Sequence, residues 1–174
     1  MKEQLQRDFD NIIKNLSLSQ KDIEIKRFYL DNFIDRGFPN RREEDWKFSD
    51  LNQIIKKNIG ELSFYSDYTS TNKVDTSVFV DGLEHNKIVF INGRIEKIDF
   101  DYEKKNQIEI IDQSETINKF SNNNSLSDLN NAFTNKSFKI LLKNGYQLQK
   151  PLIIYHTTNS KIWSKNINLR LDFE

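Results

Sequence analysis

Acid–base and metal chemistry near neutral pH rests first on imidazole and thiolate groups. This sequence of 174 residues carries two histidines, His85 and His156, and no cysteine. Each histidine lies far along the chain from any second ligand at metal-site spacing, so neither reads as a metal ligand. His85 stands just before an extended run and His156 ends one; both are expected to be surface or half-buried structural residues. The absence of cysteine excludes disulfides, thiolate nucleophiles and thiolate ligation within these residues. Asp99-Phe100-Asp101-Tyr102-Glu103 alternates carboxylates as a calcium loop does, but it lacks the glycine and the terminal bidentate Glu, and it reads as a solvated turn. No Gly-x-Ser-x-Gly motif occurs, and five scattered glycines write neither a phosphate loop nor a dinucleotide fingerprint. The expectation is no catalytic, no cofactor-binding and no metal-binding residue: the chain is not an enzyme by itself.

Charge narrows the partners. Lys and Arg number 26 and Asp and Glu number 26, so no net field draws the chain to phosphate backbones or anionic lipid. Neither nucleic acid nor membrane is expected as a partner. The N-terminus, Met1-Lys2-Glu3-Gln4-Leu5-Gln6-Arg7-Asp8, has no apolar leader core, and no run approaches the roughly 18 apolar residues of a membrane span. A cytoplasmic location is expected.

The densest feature is Gly37-Phe38-Pro39-Asn40-Arg41-Arg42-Glu43-Glu44-Asp45-Trp46-Lys47-Phe48-Ser49-Asp50-Leu51. One reading makes it a helix stop and a charged, solvated turn, with Trp46 and Phe48 holding the connection against the core. The other makes it a contact for a partner protein.

The elements that must position these residues follow from periodicity. Leu5, Phe9, Ile12, Ile13 and Leu16 fall on one face of a helix, with Arg7, Asp8, Asn11 and Lys14 outside it. Ser19, with Asp22 three residues on, starts a second helix that Gly37 closes. Ile23, Phe28, Leu30, Phe33 and Ile34 lie around more than one of its faces, which predicts burial between neighbours, and the two helices are expected to pair as a hairpin. Ser49 is placed to cap a third helix over Asp50 to Lys57, with Leu51, Ile54 and Ile55 as its apolar stripe. Residues 61–86 read as a loosely ordered connection. Beyond it, Lys87 to Ile91 and Arg94 to Ile98 flank Asn92-Gly93, the dipeptide suited to a type I′ turn, and predict a β-hairpin. Gln107 to Ile111 reads as a strand, and 114–120 and 125–133 as helical. Phe138 to Leu142, Leu152 to His156 and Ile167 to Phe173 are β-prone runs with no helix between them; this pattern suits an antiparallel sheet and equally the rungs of a solenoid. The expected organisation is a helical region over 1–60, the connection, a small α+β segment over 87–136, and a last β unit over 137–174.

The segment from Gly37 to Leu51 resembles the SufB/SufD family of iron-sulfur cluster assembly proteins. Gly37, Phe38, Pro39, Arg41, Arg42, Glu44, Asp45, Trp46, Lys47, Phe48, Ser49 and Leu51 fill that family's ordered pattern of Gly, apolar, Pro, Arg, Glu, Trp-Lys, aromatic and Leu. Val89-Phe90-Ile91-Asn92-Gly93-Arg94 is similar to its strand ending in Asn-Gly-Arg, and Lys150-Pro151-Leu152-Ile153-Ile154-Tyr155-His156 to its Lys-Pro entry into an apolar strand. The resemblance covers nearly the whole chain. It implies an α+β fold with an N-terminal helical hairpin region, a β-hairpin and then the first coils of a right-handed parallel β-helix from about residue 137, with the rest of the β-helix and the C-terminal helices lying beyond these residues. It also implies a non-catalytic scaffold in the SufBCD complex, with SufB and SufC as partners. The iron-sulfur cluster belongs to the assembled complex and no cofactor to this chain. Two other classes fit the residues less closely: a β-helix enzyme acting on polysaccharide and a generic protein-interaction module.

Overall fold

The structure, a computed structural model, describes residues 2–58, 63–64, 76–113, 124–134, 136–157, 165–166 and 169–173. The fold is α+β. Helices α1 (Lys2–Asn15), α2 (Gln20–Arg36) and α3 (Leu51–Asn58) come first, followed by the short strand β1 (Ser63–Phe64). Strands β2 (Asn86–Ile91), β3 (Arg94–Asp99) and β4 (Ile108–Asp112), helix α4 (Ser125–Phe133), and strands β5 (Lys136–Leu142), β6 (Leu152–Thr157), β7 (Lys165–Asn166) and β8 (Leu169–Phe173) complete it. The predicted helix over 114–120 and most of the 61–86 connection lie outside the described residues.

The helical core is built from the predicted face of α1. Leu5, Phe9 and Ile12 are buried with Tyr29, Leu30 and Phe33 of α2, Phe38, Phe64 of β1, and Leu129, Ala132 and Phe133 of α4. Phe133 stacks on Phe64 at 3.9 Å and receives Phe9 edge-on at 6.1 Å, so one aromatic of α4 joins the N-terminal helix to the first strand. Ser19 accepts the Asp22 amide at the start of α2, and Gly37, at φ 72°, donates its N–H to Phe33 O at the end, both as predicted.

Burial of α2 is one-sided, contrary to the expectation of burial on several faces: Lys26, Tyr29, Leu30 and Phe33 are covered and Phe28 is exposed. Its backbone lies closest to α4, whereas α1 meets it through long side chains, Arg27 resting on the Phe9 ring at 4.9 Å and pairing with Asp10 at 2.9 Å. The cap of α3 is Asp50, whose carboxylate accepts the Gln53 amide at 3.0 Å; the Ser49 N–H is taken by Trp46 O. A carboxylate at this position offers a charged acceptor to the helix start, so the helix begins one residue later than predicted.

The strands form two three-stranded sheets, in the orders β3-β2-β6 and β4-β5-β8, and a two-stranded pair β1-β7; none closes into a barrel. Ile88 and Phe90 of the first sheet pack on Phe138 and Ile140 of the second, with Ile95, Ile108, Ile110, Leu142, Leu152 and Ile154 around them. The hairpin β2-β3 turns at Asn92 (φ 50°) and Gly93 (φ 77°), as Asn-Gly predicts. Gly93→Ala places a Cβ at positive φ and is expected to cost about 1–2 kcal/mol, read as a fall of roughly 2–8 °C in the thermal midpoint.

Pairing within the sheets is mixed. The hairpin and the β4-β5 pair are antiparallel, whereas β6 runs parallel to β2, β7 to β1 and β8 to β5. Strand β3 is an edge, with a bulge opposite Val89 and Phe90 and with Arg94, Glu96 and Lys97 exposed. Among the described residues no strand lies on the far side of β6 or β8.

Candidate partner-binding surface

The Gly37–Leu51 segment divides at Asn40. Phe38 and Pro39 are buried, and Phe38 meets Phe33 edge-on at 5.0 Å. From Asn40 onward the chain is solvent-facing but tightly wound. Asn40 Oδ1 accepts the Arg42 amide, Glu43 Oε1 accepts the Asn40 amide, and the amides of Glu43, Trp46, Lys47 and Ser49 bond back to the carbonyls of Asn40, Glu43, Glu44 and Trp46. Residues Glu44–Trp46 form one turn of 3₁₀-helix.

This winding corrects the anchor reading. Trp46 is half-buried, but Phe48 is 88% exposed, with the Lys47 ammonium over its ring at 5.2 Å. The anchor is Phe38, two residues before the winding starts. Sequence pattern does not separate the two aromatics, because both follow a helix stop and both are apolar.

Glu43 accepts the Asn40 amide within the segment, and Asp50 the Gln53 amide of α3. Arg41, Arg42 and Lys47 are exposed and make no ion pair among the described residues, and the carboxylates of Glu43, Glu44 and Asp45 are exposed beside them in the sequence. A hydrogen-bonded turn that carries an exposed aromatic ring and two exposed arginines has the composition of an interface centre, and its winding lowers the entropy lost on docking.

The other residues singled out from the sequence have structural roles. His85, expected at or near the surface, is buried: Nδ1 donates to Leu83 O and Nε2 meets the Tyr155 hydroxyl at 2.7 Å. His156 is exposed on β6, edge-on to Phe90 at 6.4 Å, so the two imidazoles are not brought to one site. Among the described residues no group of three or more His, Asp or Glu side chains is placed to hold a metal ion.

Asp99 and Glu103, expected in a solvated turn, are engaged. Asp99 pairs with Lys87 at 3.3 Å and Lys97 at 3.5 Å. Glu103 accepts from Asn86 Nδ2 and from the Tyr146 hydroxyl, each at 2.6 Å, and from the amides of Gln149 and Lys150. Burial pushes its carboxyl up, but Tyr146, Asn86 and the two amides outweigh that and hold it below the usual range. It also lines an open cleft of about 300 Å³. With these donors in place it has no lone pair free for a substrate proton, and its role is to clamp residues 146–150 to the start of β2.

Two groups in the α2–α4 interface were not foreseen. Lys26, 2% exposed, directs its ammonium at the carbonyls of Asn131, Ala132 and Thr134, at the C-terminal end of α4. Burial lowers it to about 8, against the pull of Asp22. Asp128, also buried, lies 3.5 Å from Arg36; burial raises its carboxyl and Arg36 opposes the rise. Long charged residues carry no sequence signal of burial, because the same types cover every helix exterior.

No protein-family model matches the chain, and no curated protein matches it. No helix among the described residues is long and apolar enough to cross a membrane.

Proposed function

We propose that this chain is the N-terminal part of a non-catalytic scaffold subunit of the SufD type, which works by holding partner proteins where an iron-sulfur cluster is assembled as cargo. The observation that carries the reading is the Gly37–Leu51 segment. From Arg41 onward the residues that resemble the family's motif are also ones that form a wound, largely solvent-facing turn, with Phe48 88% exposed, while Phe38 and Pro39 of the motif anchor it. Strand pairing supports the architectural half of the proposal. Lys136 of β5 sits opposite Leu169 of β8 in parallel register, β6 lies parallel on β2, and β7 on β1. A chain that passes β5, β6 and β7 and then returns to β5 from the same direction fits the first coil of a parallel β-helix, with β2 and β4 as the layer before it.

Co-expression with SufB and SufC followed by size exclusion tests the reading. The full-length protein is expected to co-elute with both, while residues 1–174 alone do not retain SufC, because in this reading the SufC-binding helices lie C-terminal to them. Retention of SufC by residues 1–174 would count against that division of labour. In the same assay Phe48→Ser is expected to leave the thermal midpoint within about 2 °C of the parent, since the ring is exposed. A partner seated on that ring would lose roughly 1.5–3 kcal/mol of binding, about 10- to 150-fold in Kd.

A further inference from the structure

We propose that the Asn144-Gly145 peptide is a site of spontaneous covalent modification, in which Asn144 loses ammonia and becomes isoaspartate, and that the change loosens the segment held by Glu103. This chemistry is independent of the scaffold reading.

Asn-Gly occurs twice in the sequence, at Asn92-Gly93 and at Asn144-Gly145. Asparagine is heat-labile, and a following glycine makes it most so, because no side chain shields the backbone nitrogen that attacks. That nitrogen gives up its hydrogen and bonds to the asparagine Cγ. The Cγ–N bond of the side-chain amide breaks, and the departing nitrogen takes up a proton and leaves as ammonia. Water then opens the five-membered imide. Opening at the main-chain carbonyl leaves the peptide running through Cγ, with one extra main-chain carbon and a new carboxylate; opening at Cγ leaves ordinary aspartate.

The fold separates the two dipeptides. Asn92 is 5% exposed and Gly93 is buried. Asn92, at φ 50°, donates its N–H to Thr157 O at 3.0 Å, and the flanking Ile91 and Arg94 are paired in the hairpin. Closing an imide there requires the turn to leave a hairpin whose strand β2 is the middle of its sheet. Asn144 and Gly145 are both exposed, and Asn144 lines an open cleft of about 460 Å³, through which water reaches the imide. Gly145, at φ 76°, is the third residue of a type II turn closed by the Tyr146 N–H on Lys143 O at 2.8 Å. Neither the Asn144 side chain nor the Gly145 N–H makes a hydrogen bond among the described residues. Ring closure swings the Asn144–Gly145 peptide and opens that one turn bond, in a loop already facing solvent.

The next residue carries the consequence. The Tyr146 hydroxyl donates to Glu103 at 2.6 Å and accepts the Lys104 amide at 3.2 Å, while Glu103 also takes the amides of Gln149 and Lys150. On the other side of the dipeptide, the Lys143 N–H is fixed on Gln107 O at 3.0 Å. An extra main-chain carbon lengthens the span between these two anchors, so Tyr146 shifts and the carboxylate loses a donor.

Ageing the intact chain in mildly alkaline buffer, followed by peptide mapping with electron-transfer fragmentation, tests the assignment. In the folded chain Asn144 is expected to convert at least about tenfold faster than Asn92, with isoaspartate as the larger product, while in guanidinium chloride the two react at similar rates. Reaction in ¹⁸O-water should place the heavy oxygen at residue 144. Hydrogen exchange of the aged parent should show the Gln149 and Lys150 amides at least about threefold less protected than in fresh protein. Asn144→Gln, which cannot close a five-membered ring, should age without either change. The proposal would be overturned by equal conversion of Asn92 and Asn144 in the folded chain, or by an Asn144 that stays intact while the unfolded sample turns over. Unchanged Gln149 and Lys150 protection in the aged parent, or an equal loss in aged Asn144→Gln, would overturn it too.

Discussion

Glu103→Ala is expected to lower the unfolding free energy by about 2–4 kcal/mol, far more than removing an ordinary surface carboxylate. The carboxylate collects the Asn86 amide, the Tyr146 hydroxyl and the backbone N–H groups of Gln149 and Lys150. Asn86 opens β2 and is fully buried, so its side chain cannot turn to water when the acceptor is removed. Glu103→Gln keeps the shape but turns an NH₂ toward these donors, and should recover only part of the loss. The pH dependence has a definite sign. The folded carboxyl is held below its unfolded value, so its contribution is complete above the unfolded value of about 4.3 and is lost as pH falls through the folded one. Thermal melts followed by circular dichroism should therefore show the parent and the Gln variant converging as the solution is acidified. Equal midpoints at neutral pH would show that the clamp is dispensable.

Lys26→Met should reveal itself on the alkaline side. The folded value of about 8 lies below the unfolded value of roughly 10.4, so between them the unfolded chain binds more protons and the parent gains stability as pH rises. That window amounts to on the order of 3 kcal/mol, and Met, which cannot titrate, should lack it. Below about pH 8 the parent bears the full desolvation of the ammonium. Met removes that cost but leaves the carbonyls of Ala132 and Thr134 without their donor, worth about 1–3 kcal/mol in the other direction. The difference between the two stability curves, measured by denaturant titration at several pH values, isolates Lys26 from other groups titrating nearby. A flat difference through the alkaline window would mean that Lys26 is solvated in solution.

The contrast between these two residues and the correctly anticipated elements shows what one chain of letters conveys. Asn92-Gly93, the Ser19 cap, the Gly37 stop and the Leu5, Phe9 and Ile12 face were readable because each depends on residues within one turn or one hairpin. Glu103, Lys26 and His85 were not, since their partners lie at 149, 134 and 155 and periodicity says nothing of who stands opposite. The same limit left the last three strands open between antiparallel and stacked arrangements; the direction of pairing is a tertiary property. Phe48 was misjudged for a different reason. Aromatic character predicts a need for cover, but it does not say whether the chain itself provides that cover.

The two flanks of the strand layers differ in a way that gives the fold a direction. On one flank β3, bulged and bearing Arg94, Glu96 and Lys97, turns away any incoming backbone. On the opposite flank β6 and β8 follow their templates in parallel, and no comparable charged, kinked strand stands guard there among the described residues. The β3-β2-β6 sheet is therefore guarded on one edge and bare on the other among the described residues. A further backbone meets less resistance at β6 than at β3, so a pairing error in that sheet has one easy point of entry.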